Sequence, residues 1–183
     1  MKSPQTCFLD QLAIIFDAES RYVESLGGWI TSSEYPSMNM RLKTLLRETE
    51  GHVSVIEYVF ASFLEPPRRL RCDPVAGLIR DHSRGQGLFE SQIPDREAAM
   101  MTTIARIKNY KMTVYFKLYR WAGLFRNERA APYLFELLDE EKRTLPPPEP
   151  ILRNARNQQA DSDQISERIE VARPRQDEVI CFS

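Results

Sequence analysis

Eight ionisable residues fall on faces of the chain that otherwise look buried, and their types and spacing are those of a metal centre or a charge network. Glu19 stands three residues after Phe16 and three before Tyr22, inside an apolar stripe. Glu48 and His52 lie one turn apart on a second stripe, and His82, with Asp81 at its edge, lies on a third. Lys108 and Lys111 hold the two places where the apolar residues of a fourth stripe are missing, and Glu141 shares a side with Leu134, Leu137 and Leu138. Carboxylate oxygens and imidazole nitrogens are the donors that divalent cations take. One carboxylate per helix with a histidine nearby is how helical bundles build dinuclear metal sites. Each residue taken alone has a plainer reading, a hydrogen-bonded polar group within a core. The lysines argue against a metal, because an ammonium group repels an incoming cation.

Five helices would have to position these residues. Leu12, Ile15, Phe16, Tyr22, Val23 and Leu26 recur at helical steps, predicting a helix over 6–26 that Gly27-Gly28 stop. Ser37 is expected to cap a second helix to about Leu64, with Leu42, Leu45, Thr49, His52, Ile56, Val59 and Phe63 on its stripe. After the break at Glu65-Pro66-Pro67, Pro74 opens a third helix to about Ser91, its inner face carrying Val75, Leu78, Ile79, His82 and Phe89. The longest stretch, Asp95 to Phe125, reads as one helix whose stripe is Met101, Ile104, Tyr115, Leu118, Ala122 and Phe125. A short fifth helix spans about Arg129 to Thr144. Nothing alternates as a strand would, so the expected fold is all-α, a four-helix bundle with a short fifth helix, over residues 1–145. Pro146-Pro147-Pro148-Glu149-Pro150 then opens a tail, 146–183, whose polar composition predicts disorder. Its one apolar patch, Val179-Ile180-Cys181-Phe182, is a candidate contact for a protein partner.

The totals exclude several function classes. Twenty-five Lys and Arg against 26 Asp and Glu give a net charge of -1, so no overall field draws nucleic acid or an anionic membrane. No apolar run is long enough for a bilayer, and Met1 is not followed by a secretory leader. Three scattered cysteines predict a reducing, cytoplasmic setting rather than a disulfide framework. The run Arg68-Arg69-Leu70-Arg71 reads as a solvated loop before a nucleic-acid site. There is no phosphate-cradling glycine loop and no arrangement for a Ser-His-Asp triad.

Five segments in order, from about Phe8 to Thr144, carry a resemblance. They are FDAESRYVESL, LLRETEGHVSVIEYVF, RCDPVAGLI, ARIKNYKMTVYFKLYRWA and LDEEKRT. Together they resemble the YciF-like bacterial stress proteins, a branch of the ferritin-like superfamily. The resemblance implies a ferritin-like antiparallel bundle, commonly a homodimer, with carboxylate-rich iron or manganese positions inside. By position it assigns Glu19, Glu48, His52 and Asp81 as metal positions. It then fails on the fourth helix, where the family's Glu-His-Tyr-Glu is Lys108-Asn109-Tyr110-Lys111 in this chain.

Exchanging two carboxylates for two ammonium groups alters the fixed charge by about four units, roughly what two divalent cations would bring. The expectation is a buried network of Lys108, Lys111 and Glu141 with vacant remnant metal positions at Glu19, Glu48, His52 and Asp81. The other reading of the lysines is that they snorkel to a bundle end. Three functions follow: a non-catalytic structural or binding protein without a cofactor; a metal-binding protein or oxidoreductase with one iron or manganese in a reduced site; and, more remotely, a pocket with a nucleophilic lysine.

Overall fold

A computed structural model of the chain describes residues 2–33, 36–86, 93–125, 127 and 129–144. It contains α1 (Pro4–Ser32), α2 (Pro36–Ser62), α3 (Asp73–Gln86), α4 (Ile93–Leu124) and α5 (Ala130–Thr144), with no strand among the described residues. The bundle lies within the unit Met1–Pro146. The tail expected to be disordered, with its apolar end, lies outside the described residues, as does Phe89. No described helix is long and apolar enough to cross a membrane.

α1 begins at Pro4, capped by the Ser3 hydroxyl, which accepts from the Thr6 N–H at 3.1 Å. It does not stop at Gly27-Gly28, as the sequence suggested, but continues to Ser32. Neither glycine adopts the left-handed conformation that ends helices. The extra turn is held by packing: Trp29 extends the stripe of Tyr22 and Leu26 and is buried against the Tyr22 ring and the His82 ring. Tertiary burial outweighs the weak helix propensity of two glycines, about 1 kcal/mol each.

α2 packs on α1, and α4 packs on α5. α3 packs on α1 and α4, and α5 reaches back to α2. α2 begins at Pro36, one residue before the cap expected at Ser37, and α4 at Ile93, two residues before Asp95. α2 ends on a Schellman motif in which Glu65 N–H donates to Phe60 C=O and Leu64 N–H to Ala61 C=O. Leu64 takes the left-handed position at φ 59° and is 95% exposed, so its side chain offers no packing to offset that conformation. Asn127 opens α5: its side-chain oxygen accepts from Ala130 N–H at 3.0 Å, while its amide donates to the Ser62 hydroxyl at 3.3 Å and ties α5 to the end of α2.

Apolar layers flank a charged one along the bundle. Phe8, Leu12, Ile15, Ile56, Phe60, Leu118 and Leu134 are buried on one side; Leu26, Trp29, Met38, Leu42, Met100 and Ile104 are buried on the other. In α1, α2 and α4 the polar residues of the next section lie between these two sets in the sequence, and in α5 they follow Leu134.

Two opposite substitutions should both stabilise the fold. Gly27→Ala meets open space in a continuous helix, and Leu64→Gly removes a left-handed leucine. Each is expected to raise unfolding free energy by about 1 kcal/mol, read from urea midpoints at unchanged m-value.

Candidate functional site

Lys111 is the centre of the charged layer. Its side chain is fully buried, with Nζ 2.9 Å from Glu19 Oε2 of α1 and 2.5 Å from Glu141 Oε1 of α5. It holds these oxygens as a charge, since none of the three atoms is aligned for a hydrogen bond. Lys108, one turn earlier, donates to the other oxygen of Glu141 at 3.0 Å and to the Thr144 hydroxyl at 2.8 Å. Glu141 therefore bridges both lysines. Glu48, at the edge of the cluster, brings Oε2 within 3.9 Å of Lys108 Nζ. The lysines of α4 meet carboxylates inside the bundle and do not snorkel to its end.

His52 and two tyrosines complete the layer. His52 Nδ1 is 3.4 Å from Glu19 Oε1 and 3.3 Å from Glu141 Oε1, and its Nε2 is 3.4 Å from Glu140 Oε2. Both nitrogens sit at ion-pair distance from carboxylates without the alignment of a good hydrogen bond. Tyr115 donates its hydroxyl to Glu19 Oε1, and the Tyr22 ring lies 5.3 Å from Lys111 Nζ, presenting its electron-rich face to the cation.

Burial works against every charge here, and the partners reverse its effect. It would raise Glu19, but the Lys111 charge and His52 hold that carboxyl below its ordinary range. Glu141 is depressed by Lys111, His52 and Lys108 in spite of its burial. Lys111 is raised by Glu19 and Glu141 against the same penalty, and His52 is pushed up to about 9. The Tyr22 and Tyr115 hydroxyls are raised mainly by burial, then by the neighbouring carboxylates. The cluster is a self-compensating set of ions, and removing one member leaves another uncompensated.

α1, α2, α4 and α5 supply this cluster; α3 does not. Asp81, assigned to it by resemblance, is exposed and points away from the interior. Val75 and His82 are the buried residues of α3, and a residue adjacent to His82 is turned about 100° round the helix. His82 packs edge-on against Trp29, ring centroids 4.7 Å apart, and its burial lowers its pKa.

One polar residue that pattern reading passed over is Asp17. It is 3% exposed and accepts from Arg21 Nε at 2.6 Å, Arg69 Nε at 3.0 Å and Cys72 N–H at 2.9 Å. Burial raises its pKa, yet those three donors hold the carboxyl lower than usual. Arg68 pairs with Asp10 at 2.5 Å, and Leu70 N–H donates to Ala13 C=O at 3.1 Å. The basic run is thus a strap across α1, its charges answered by this chain's own acids. The available signal was an aspartate on the edge of a buried stripe paired with a basic loop of no other use.

The donor set can be tested against a metal. Glu19, His52 and Glu141 bring ligand atoms within 4.8 Å of one another, and their types suit one divalent ion. Both carboxylates, however, already face the Lys111 ammonium at contact distance. With lysines on α4 and Asp81 turned outward, these residues do not suit a dinuclear carboxylate centre.

Fold and site together define an all-α helical bundle built around a buried ion-pair cluster. The chain belongs to the family described as "Domain of unknown function (DUF892)", whose model matches residues 3–169. It is similar to Protein YciF of Escherichia coli strain K12, 25% identical over 147 residues that cover 79% of this chain and 87% of that protein. The crystal structure of the E. coli stress protein YciF superposes with a TM-score of 0.74 at 24% identity, covering 86% of this chain and 97% of that one. YcfI of Rhodopseudomonas palustris gives 0.73 at 22% identity, covering 78% and 90%. The YciF-like resemblance read from the five segments holds over most of the chain.

Lys111→Met should destabilise the bundle by roughly 3 kcal/mol or more, since Glu19 and Glu141 lose their shared cation. Glu19→Gln added to it should recover part of that loss, and a urea-denaturation double-mutant cycle measures both. His52 titrates near 9 when folded, above its ordinary 6.5, so its stabilisation is complete below pH 6.5 and is lost as pH rises from 6.5 to 9. Unfolding free energy should fall across that window by on the order of 3 kcal/mol more in the natural chain than in His52→Gln.

Proposed function

We propose that this chain is a ferritin-like bundle that has exchanged its internal metal centre for fixed ammonium groups and serves as a non-catalytic structural or binding protein, in the cytoplasm and as a homodimer. One observation carries the reading: Lys111 Nζ stands 2.9 Å from Glu19 and 2.5 Å from Glu141, the position a bound cation would have to take. A divalent ion would meet the ammonium at close range in a low-dielectric interior, where the repulsion amounts to several kcal/mol. A structural role has been suggested for YcfI, and E. coli YciF is described as a stress protein. The first description supports a structural role for this chain and the second a part in stress physiology. The apolar end of the 146–183 segment is the proposed contact for a protein partner.

The second reading is a reduced site holding one iron or manganese ion at Glu19, His52 and Glu141, favoured by the closeness of those three donors. Elemental analysis of protein from cells grown with added iron and manganese separates the two. Less than about a tenth of an ion per chain is the expected result, and one ion per chain would establish the reduced site instead. The charge exchange should also run backwards. Lys108→Glu combined with Lys111→Glu is expected to convert the bundle into one whose melting temperature rises with added Mn2+, while the natural chain shows no such dependence.

A further inference from the structure

A cleft of about 280 Å3, partly open to solvent, lies beside the cluster, its wall formed by Leu45, Met101, Ile104 and the exposed Met40 with Lys108 and Glu48 at its polar end. A cavity of about 150 Å3 accepts benzene, so this cleft has room for an aromatic ring with a short substituent. Lys108 is 2% exposed and has three N–H donors. Glu141 takes one at 3.0 Å and the Thr144 hydroxyl a second at 2.8 Å. Among the described residues the third has only Glu48 near it, at 3.9 Å, beyond hydrogen-bond reach. The Thr144 hydroxyl has no proton left to offer, since its own goes to Glu140 C=O at 2.8 Å. Lys108 and the 22% exposed Glu48 therefore face the same space across a gap that a single oxygen, about 2.8 Å from each, would fill.

The group that fills such a gap must accept from an ammonium and donate to a carboxylate. A hydroxyl does both. A ligand carboxylate would accept from Lys108 but be repelled by Glu48, and a hydrocarbon would leave both polar groups unmet. We propose that this cleft is a binding site for a small, uncharged phenol or alcohol with an apolar body, its hydroxyl bridging Lys108 and Glu48. Arg41, the other charged residue of the lining, is exposed and its field is screened by solvent, so it does not turn the preference toward anions. The site names a ligand class for the binding role proposed above and rests on Lys108 being an ammonium held by Glu141.

Isothermal titration of the full chain, on protein whose metal content has been measured, tests the idea with three probes of one shape: 4-ethylphenol, 4-ethylbenzoate and ethylbenzene. The phenol is expected to bind about tenfold or more tighter than either, the margin of a hydrogen bond to a charged group. Met101→Trp, which fills the cleft without touching the cluster, should abolish binding while helical circular dichroism is unchanged. Glu48→Gln should weaken the phenol several-fold and strengthen the benzoate, closing the gap between them. No phenol binding at millimolar concentration, equal affinities for the three, or an unchanged ranking in Glu48→Gln would each overturn the assignment. Because metal content is read on the same sample, a chain that carries an ion is distinguished from a metal-free chain that does not bind the phenol.

Discussion

A buried ammonium group sets the terms for this bundle. Lys111 stands with no exposed surface between Glu19 and Glu141, residues of the first and last helices. An isolated charge in such a place is prohibitively costly, so α1 and α5 must both be present and in register before α4 can occupy its position. A slip of α4 by one turn would carry the ammonium into an apolar layer and leave two carboxylates facing hydrocarbon. The cluster therefore adds little net stability compared with apolar residues of the same volume, yet it penalises misregistered packings heavily. Lys108 and Tyr115 follow from the same requirement, because each donates to a remaining oxygen of Glu141 or Glu19, and His52 adds its charge beside both carboxylates.

α1 carries a second anchor on another side. Asp17 and Glu19 are two residues apart, so they point to faces about 200° apart on one helix. Glu19 faces the interior, whereas Asp17 takes the Cys72 N–H, Arg69 and Arg21. This fixes the strap that leads into α3, and α3 then contributes Val75 and His82 to the core while leaving Asp81 in solvent. One helix thus organises both the ion cluster and the strap.

The same charges bear on function. In a bundle of this family, with relatives described as a stress protein and as having a suggested structural role, the interior is arranged for mutual neutralisation. At the edge of the cluster Lys108 and Glu48 meet a mainly apolar cleft without contacting each other at hydrogen-bond distance. Chemistry in the middle of the layer would require breaking ion pairs, whereas recognition at its edge would complete them.

Sequence alone determined the helical class, the five elements and the positions of the buried ions. Apolar spacing at three and four residues survives any detail of packing, and Glu19, His52, Lys108, Lys111 and Glu141 interrupt it in plain view. Helix ends were less legible: Gly27-Gly28 look like a stop in isolation, and only the burial of Trp29 against Tyr22 and His82 carries α1 past them. Which acids meet which lysines was beyond pattern, because Glu141 bridges Lys108 and Lys111 from 33 and 30 residues away in the chain. Tertiary structure alone turned Asp81 outward, brought Asp17 under the strap and placed a cleft beside Lys108. Periodicity reports which face of a helix is buried; the partner on the other side of that face is set by how separate helices pack.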